Sequence, residues 1–184
     1  MGILGNGQLQ RGAMGTAGDL GHVRVARGSH VTCRCGNIGC LEALAGAPAI
    51  AATLTAGGAG EVRTGDIVAL VERGDPDAVA ALRQAGRDLG EVLATCVSLL
   101  NPSVIVLGGS LAAAGDHLLA GVREVVYHRS LPLATAHLTI VRSRSADDAG
   151  ILGASMLVVQ HVLSADAIES AIASQARTPP RSFA

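Results

Sequence analysis

The sequence has 184 residues, a formal net charge of −1 and a hydrophobic fraction of 49%, enough apolar surface to bury the core of one domain and too much for a disordered chain. All 14 basic residues are Arg, Trp is absent, and Tyr and Phe occur once each. This excludes a Walker-type phosphate loop and Schiff-base lysine chemistry, and leaves neither the basic footprint nor the aromatic platforms of nucleic-acid binders.

With 32 Ala and 24 Gly, the core must be built from Val, Leu, Ile and Ala, with close backbone packing. In chain order, Ile3–Gln10 predicts a β-hairpin turning at Asn6-Gly7, a pair that tolerates positive φ. A hairpin at the very start lacks earlier neighbours to cover it, which predicts a domain cut from something larger. Glycines at 12, 15, 18 and 21 exclude a regular helix there. Val23–Val25 predicts a short strand, and a polar loop from Gly28 to Gly39 holds cysteines. Pro48 opens a short helix over Ala49–Leu54, and Asp66 is expected to cap another that runs to Arg73.

Asp75-Pro76 opens a long helix over Pro76–Leu100, with Asp as N-cap and Pro in the first helical position. Its apolar stripe is Val79, Leu82, Leu89, Leu93 and Val97, and Asn101-Pro102 ends it. Val104–Leu107, running into Gly108-Gly109, has the continuous apolar pattern of a fully buried strand. Leu111–Tyr127 predicts a helix, Leu138–Val141 a second buried strand, and Ala149–Leu163 and Ala165–Ala173 two further helices. Strands alternating with helices in the second half define an α/β fold with a partly parallel sheet. The longest apolar stretch, Ala149–Leu163, is shorter than the ~20 residues of a membrane span. Nor do the first residues form a secretory signal, so a cytoplasmic protein without a membrane partner is expected.

His22, Cys33, Cys35 and Cys40 read His-x10-Cys-x-Cys-x4-Cys in a Gly-rich loop. Three thiols and an imidazole close a tetrahedron around Zn²⁺ without a water, which is a structural rather than a catalytic site. The alternative is ordinary reduced thiols, although three in eight residues of a polar loop are hard to explain as core. His30 competes with His22 for the imidazole position. Cys96, in the long helix, reads as core. Asp19 and Glu42 flank the loop, either as charge-assisted acceptors for polyol hydroxyls or as solvated surface acids.

Gly18-Asp19-Leu20-Gly21-His22, followed by Cys33-Arg34-Cys35-Gly36-Asn37-Ile38-Gly39-Cys40-Leu41-Glu42, resembles the signature of the ROK family (repressors, open reading frames and kinases). Arg11–Ala17 is similar to its lead-in, Asn101–Leu111 to its later strand and glycine pair, and Ala149–Ala154 to its closing helix. The resemblance implies the C-terminal half of an actin-like, ribonuclease-H-like fold with an inserted zinc loop. The expected domain covers 1–176, with the zinc and sugar loop at about 18–42, a helical segment at about 48–100 and the sheet and closing helices at about 103–173. Residues 177–184 are expected to be a flexible tail.

It also implies that His22, Cys33, Cys35 and Cys40 hold structural zinc, that Asp19, His22 and Glu42 contact a sugar, and that Gly108 and Gly109 approach an adenine nucleotide in the kinases. Without the resemblance, that glycine pair is equally a tight turn after a strand. Family kinases usually carry Glu at the position of Asp19, so the shorter acid shifts the geometry of that contact. Their glycine-rich phosphate motif and catalytic Asp are not in this sequence, so no catalytic residue is assigned and the 184 residues alone are not expected to phosphorylate a sugar.

The favoured reading is the sugar-sensing, oligomerising half of a ROK transcriptional regulator. Its expected partners are a monosaccharide or amino-sugar effector and further copies of itself, with no direct nucleic-acid contact. The alternative is a fragment of an ATP-dependent, glucokinase-type sugar kinase, with ATP and Mg²⁺ as cofactors only in that case. A third reading is a truncated product that folds and self-associates without activity.

Overall fold

The structure is a computed structural model and describes residues 1–58, 60–145 and 148–176. These fall into two compact units, Met1–Ser143 and Arg144–Ala184; the expected tail at 177–184 lies outside the described residues.

The first unit opens with the antiparallel pair β1 (Ile3–Gly5) and β2 (Gln8–Gln10). Asn6 and Gly7 take φ of 53° and 75°, as the turn sequence predicts. After the irregular stretch to residue 40 come α1 (Leu41–Ala45), α2 (Ala47–Ala56), α3 (Asp66–Glu72) and the long α4 (Pro76–Leu100). Asp75 caps α4 by accepting the Ala78 N–H at 2.9 Å, and Asn101 ends it in the left-handed region at φ 42°. β3 (Val104–Leu107) leads to α5 (Ser110–Ala113), α6 (His117–Arg129) and α7 (Pro132–Thr135), and then to β4 (Thr139–Arg142). β3 and β4 are parallel, in register from Val104 opposite Thr139 to Leu107 opposite Arg142.

The core lies where α4 meets α6. Leu82, Val97, Val122 and Val126 are completely buried there, and three glycines let the helix backbones touch. A Cβ on Gly86 would sit 3.1 Å from the Gly121 Cα, and one on Gly90 3.1 Å from the Val122 carbonyl oxygen. The expected stripe is confirmed at Leu82, Leu93 and Val97, while Val79 and Leu89 are half-buried. The glycine face on the same helix carries no hydrophobic signal and was invisible to periodicity.

Four expectations are corrected. Val23–Val25 is not a strand but holds a single bridge, Arg24 to Cys40, because a 3-10 turn starting at Ala26 and α1 starting at Leu41 cut the ladder short. Asp66 does not cap α3: Gly65 occupies the N-cap, and Asp66 in the first turn accepts the Arg63 N–H at 3.0 Å and pairs with its guanidinium. The helix expected over Leu111–Tyr127 is two, broken at Ala114-Gly115, where Gly115 has φ 116°. β3 forms but is not fully buried: Val104 and Val106 are exposed and only Leu107 is buried, because alternate side chains face opposite sides of a sheet and this one has only two strands.

The second unit contains α8 (Ala149–Val162) and α9 (Ala165–Ala176). No single helix among the described residues is long and apolar enough to cross a membrane; Ala149–Val162 and Ala165–Ser174 reach that composition only together, bent by 51°.

Candidate functional site

Residues 21–42 fold without regular strands, and backbone hydrogen bonds hold them instead. Val25 N–H donates to the Gly39 carbonyl at 2.8 Å, Gly39 N–H to Val31 at 2.8 Å, and Leu41 N–H to Val23 at 2.9 Å. Inside this frame Cys33 N–H reaches the Asn37 carbonyl at 2.8 Å and closes a tight turn around Cys35 and Gly36. Gly36 takes φ of 89°, a conformation that side chains resist. Gly28 serves a different purpose, since its Cβ would lie 2.9 Å from the Gly39 Cα, and the two chain segments touch there.

That frame brings one nitrogen and three sulfurs together. The ligand atoms of His22, Cys33, Cys35 and Cys40 all lie within 4.8 Å of one another. Cys33 Sγ is 3.9 Å from His22 Nδ1, and Cys35 Sγ is 3.6 Å from Cys40 Sγ. A tetrahedron with Zn–S bonds of ~2.3 Å has sulfurs ~3.8 Å apart, so the donors fit such an ion in both chemistry and spacing. His30 is not part of the cluster. Cys33 and Cys40 are buried, whereas Cys35 and His22 are exposed. The environment splits the thiols: a hydrogen bond from the Asn37 backbone, above all, draws Cys35 down to about 7. Burial, aided by hydrogen bonds to Cys35 and Cys33, pushes Cys40 up to about 12. A divalent cation reverses the second effect, because thiolate is the ligand form. Cys96 stands apart, half-buried in α4, with its thiol pushed up by desolvation.

Immediately beyond the cluster, the two acids converge. Asp19 Oδ1 accepts the Gly21 N–H at 3.2 Å, and Glu42 N–H donates to the Gly21 carbonyl at 2.8 Å. A Cβ on Gly21 would lie 3.3 Å from Glu42 Oε2 and 3.4 Å from Asp19 Oδ1, so glycine leaves both carboxylates open on one side. Glu42 and Gly21 line a cleft of about 310 Å³ whose floor includes Leu89, Leu111 and Leu118. Gly108 lines the same cleft; Gly109, next along, has φ 92° and precedes α5. The structure therefore puts Glu42 and Gly108, which the sequence places 66 positions apart, on one cavity. Asp19 and His22 lie beside it rather than in its lining.

Sequence reasoning missed Asp88. It lies in the middle of α4, 2% exposed, and receives the guanidinium of Arg27 from the loop, with Nη2 2.6 Å from Oδ2. That hydrogen bond, more than any other influence, raises the Arg27 pKa. The available signal was a lone acid between Gly86 and Gly90, on a face with no room for solvent.

A ROK family model matches residues 1–161. The chain belongs to the ROK family. It is 30% identical over 173 residues to a glucokinase of Halalkalibacterium halodurans, covering 86% of this chain and 52% of that protein. It is 32% identical over 171 residues to the DNA-binding transcriptional dual regulator NagC of Escherichia coli, covering 88% of this chain and 42% of NagC. Among solved structures, a ROK family transcriptional regulator homologous to the E. coli MLC protein superposes with a TM-score of 0.70 at 34% identity, over 77% of this chain and 38% of that one. A ROK family glucokinase from Streptomyces griseus, in complex with glucose and AMPPNP, superposes with a TM-score of 0.69 at 29% identity, over 85% and 55%. This ROK chain thus has the α/β, actin-like sugar-kinase fold of its relatives and spans about half their length. Its homologues include both regulators and kinases.

Proposed function

We propose that this ROK chain is the sugar-sensing part of a transcriptional regulator, corresponding to the C-terminal half of the family fold and assembling with copies of itself. In this reading, structural zinc is held by His22, Cys33, Cys35 and Cys40. The carrying observation is the cleft: it combines one carboxylate, Glu42, with an apolar floor and with Gly21 and Gly108, where backbone is accessible. Such a lining suits a pyranose, whose hydroxyls bond a carboxylate while its C–H faces rest on leucines. Glu42 is the only acid in that lining, and Asp19 already accepts a backbone N–H. The cleft can therefore bind a polyol, but the described residues that line it supply neither a separate general base nor a phosphate cradle for phosphoryl transfer. The metal would fix Cys40, and through it Glu42 two residues on; it would take no part in chemistry. DNA contact would be indirect.

The placement of Gly108 on the same cleft supports the kinase alternative, since a nucleotide could approach there. Calorimetric titration of the zinc-loaded chain with glucose and N-acetylglucosamine, with and without ATP and Mg²⁺, tests both readings. The regulator reading expects binding of a sugar and no turnover. Sugar phosphorylation above background overturns it, and absence of any sugar binding removes the site. Glu42→Gln should weaken binding by about 10–100-fold, the effect of one charge-assisted hydrogen bond. Sedimentation of the same sample reads the assembly: a clean monomer refutes self-association.

A further inference from the structure

α4 buries only one ionisable residue: beside Asp88, its buried positions are Ala, Gly, Leu and Val. A carboxylate buried in such surroundings persists only when fully paired. Asp88 is. Arg27 Nε donates to Oδ1 at 2.8 Å and to Oδ2 at 3.1 Å, Arg27 Nη2 donates to Oδ2, and Gln84 Nε2 donates to Oδ1 at 3.1 Å. One turn further along α4, Glu91 Oε2 accepts the Ala26 N–H at 3.4 Å, while its other oxygen holds Arg129 Nη1 at 3.2 Å.

Both acids thus grip one short 3-10 turn, Ala26–Gly28, which lies between His22 and Cys33. That turn is itself pinned to the far arm of the loop, where Gly28 abuts Gly39, next to Cys40. On the α4 side, Ala85 and Leu89 flank Asp88 and line the cleft that Glu42 edges. A guanidinium fork on a carboxylate fixes both distance and rotation, which a Lys point charge does not.

We infer that Asp88, through its bidentate pair with Arg27, is a positioning residue that seats the metal loop on α4 and thereby holds Glu42 at the edge of the cleft. The effect on the loop stands on the geometry alone; the effect on ligand affinity rests on the proposed sugar site.

Asp88→Asn and Arg27→Lys in the zinc-loaded 184-residue chain test this. The readouts are zinc content, hydrogen exchange by mass spectrometry, and calorimetric titration with glucose and N-acetylglucosamine. In Asp88→Asn, one zinc equivalent should remain and exchange across 31–42 should accelerate about ten-fold, as expected for loss of one charge-assisted pair. Peptides from α6 should stay as protected as in the parent, and the sugar Kd should rise by a similar factor. Arg27→Lys, which keeps the charge but loses the fork, should fall between the parent and Asp88→Asn.

Unchanged exchange across 31–42 overturns the inference, as does acceleration spread equally over α4 and α6, which is what a merely structural role produces. If Asp88→Asn fails to fold, Arg27→Lys is judged by the same two criteria. If the loop loosens in the variant but the parent binds neither sugar, the seating role stands, whereas its ligand consequence falls together with the sugar reading.

Discussion

At the α4–α6 crossing glycine removes side chains from between two helices, whereas in the cysteine-rich loop it mainly lets the backbone turn. Gly86, Gly90 and Gly121 sit in regular helix, and a Cβ there would strike the opposite backbone. Gly36 has nothing within 4 Å of the place a Cβ would take, but its φ is 89°. The helix pair is held by burial and contact, while the loop is held by backbone hydrogen bonds, the Arg27–Asp88 pair and four converging donor atoms. A packed crossing should therefore fail through volume, and the loop through metal, protons and backbone conformation.

Gly121→Leu should break the crossing outright. Its side chain would enter against the Arg83 carbonyl and the Arg87 N–H, and neither helix backbone can yield locally. Overpacking of this kind costs about 3 kcal/mol or more, a large fraction of a domain's total stability. Urea denaturation should show the midpoint falling sharply or the transition disappearing. A variant as stable as the parent would mean that the helices do not touch here.

Removing the zinc proposed for the cysteine cluster should break the other region and spare this one. Cys33→Ser, or a strong chelator, should abolish stoichiometric zinc by elemental analysis and release protection across 31–42, while the helical circular dichroism stays close to the parent's. Proton dependence follows from the thiols. Cys40 is pushed up to about 12 and enters as a thiol, so metal binding must release its proton, and Cys35 titrates at about 7. Apparent zinc affinity should therefore rise from pH 6 to pH 8 in chelator competition. A pH-independent affinity would remove the thiolate ligands from the site.

The two regions differed equally in how readable they were. The loop was legible because its chemistry is carried by rare residue types: three cysteines, a histidine and punctuating glycines mark the cluster, and only the choice between His22 and His30 needed three dimensions. The hairpin and the capped start of α4 were legible because Asn6-Gly7 and Asp75-Pro76 act locally. The crossing was not, because a glycine face has no hydrophobic period and reads as weak helix. Asp88 was not, because its partner Arg27 is 61 positions away. The exposure of Val104 and Val106 was not, because an apolar run encodes strand propensity but not how many neighbours cover it. The meeting of Glu42 with Gly108 is a product of tertiary packing alone.

Two single-methyl changes sharpen the contrast inside the loop. Gly36→Ala meets no atom, so its cost is the left-handed backbone alone, about 1 kcal/mol. Gly28→Ala should cost more, because its methyl must displace Leu44 and press on Gly39. Thermal melts of the two zinc-loaded variants compare turn with space directly. Equal shifts would mean that the Gly28–Gly39 approach is easily relaxed.

The smallest expected effect separates ion pairs exposed at both ends from the one whose carboxylate is buried. Glu124 on α6 accepts Arg87 Nε at 3.0 Å and Arg83 Nη2 at 3.1 Å from α4, and those hydrogen bonds, Arg87 first, hold its carboxyl below the usual glutamate range. A folded-state pKa below the unfolded one stabilises above the unfolded value, near 4.3, and that contribution fades as pH falls through the folded pKa. Glu124→Gln should therefore melt slightly below the parent at pH 7, and the gap should close toward pH 3. Because all three side chains reach solvent, salt should shrink the gap as well. The Arg27–Asp88 pair has one end buried, its side chains 3% exposed at Asp88 against 47% at Arg27, so it is screened less and the change produced by Asp88→Asn should shrink less at high salt. If both variants respond equally to salt, solvent reaches the seat of the loop as freely as it reaches the outer face of the crossing.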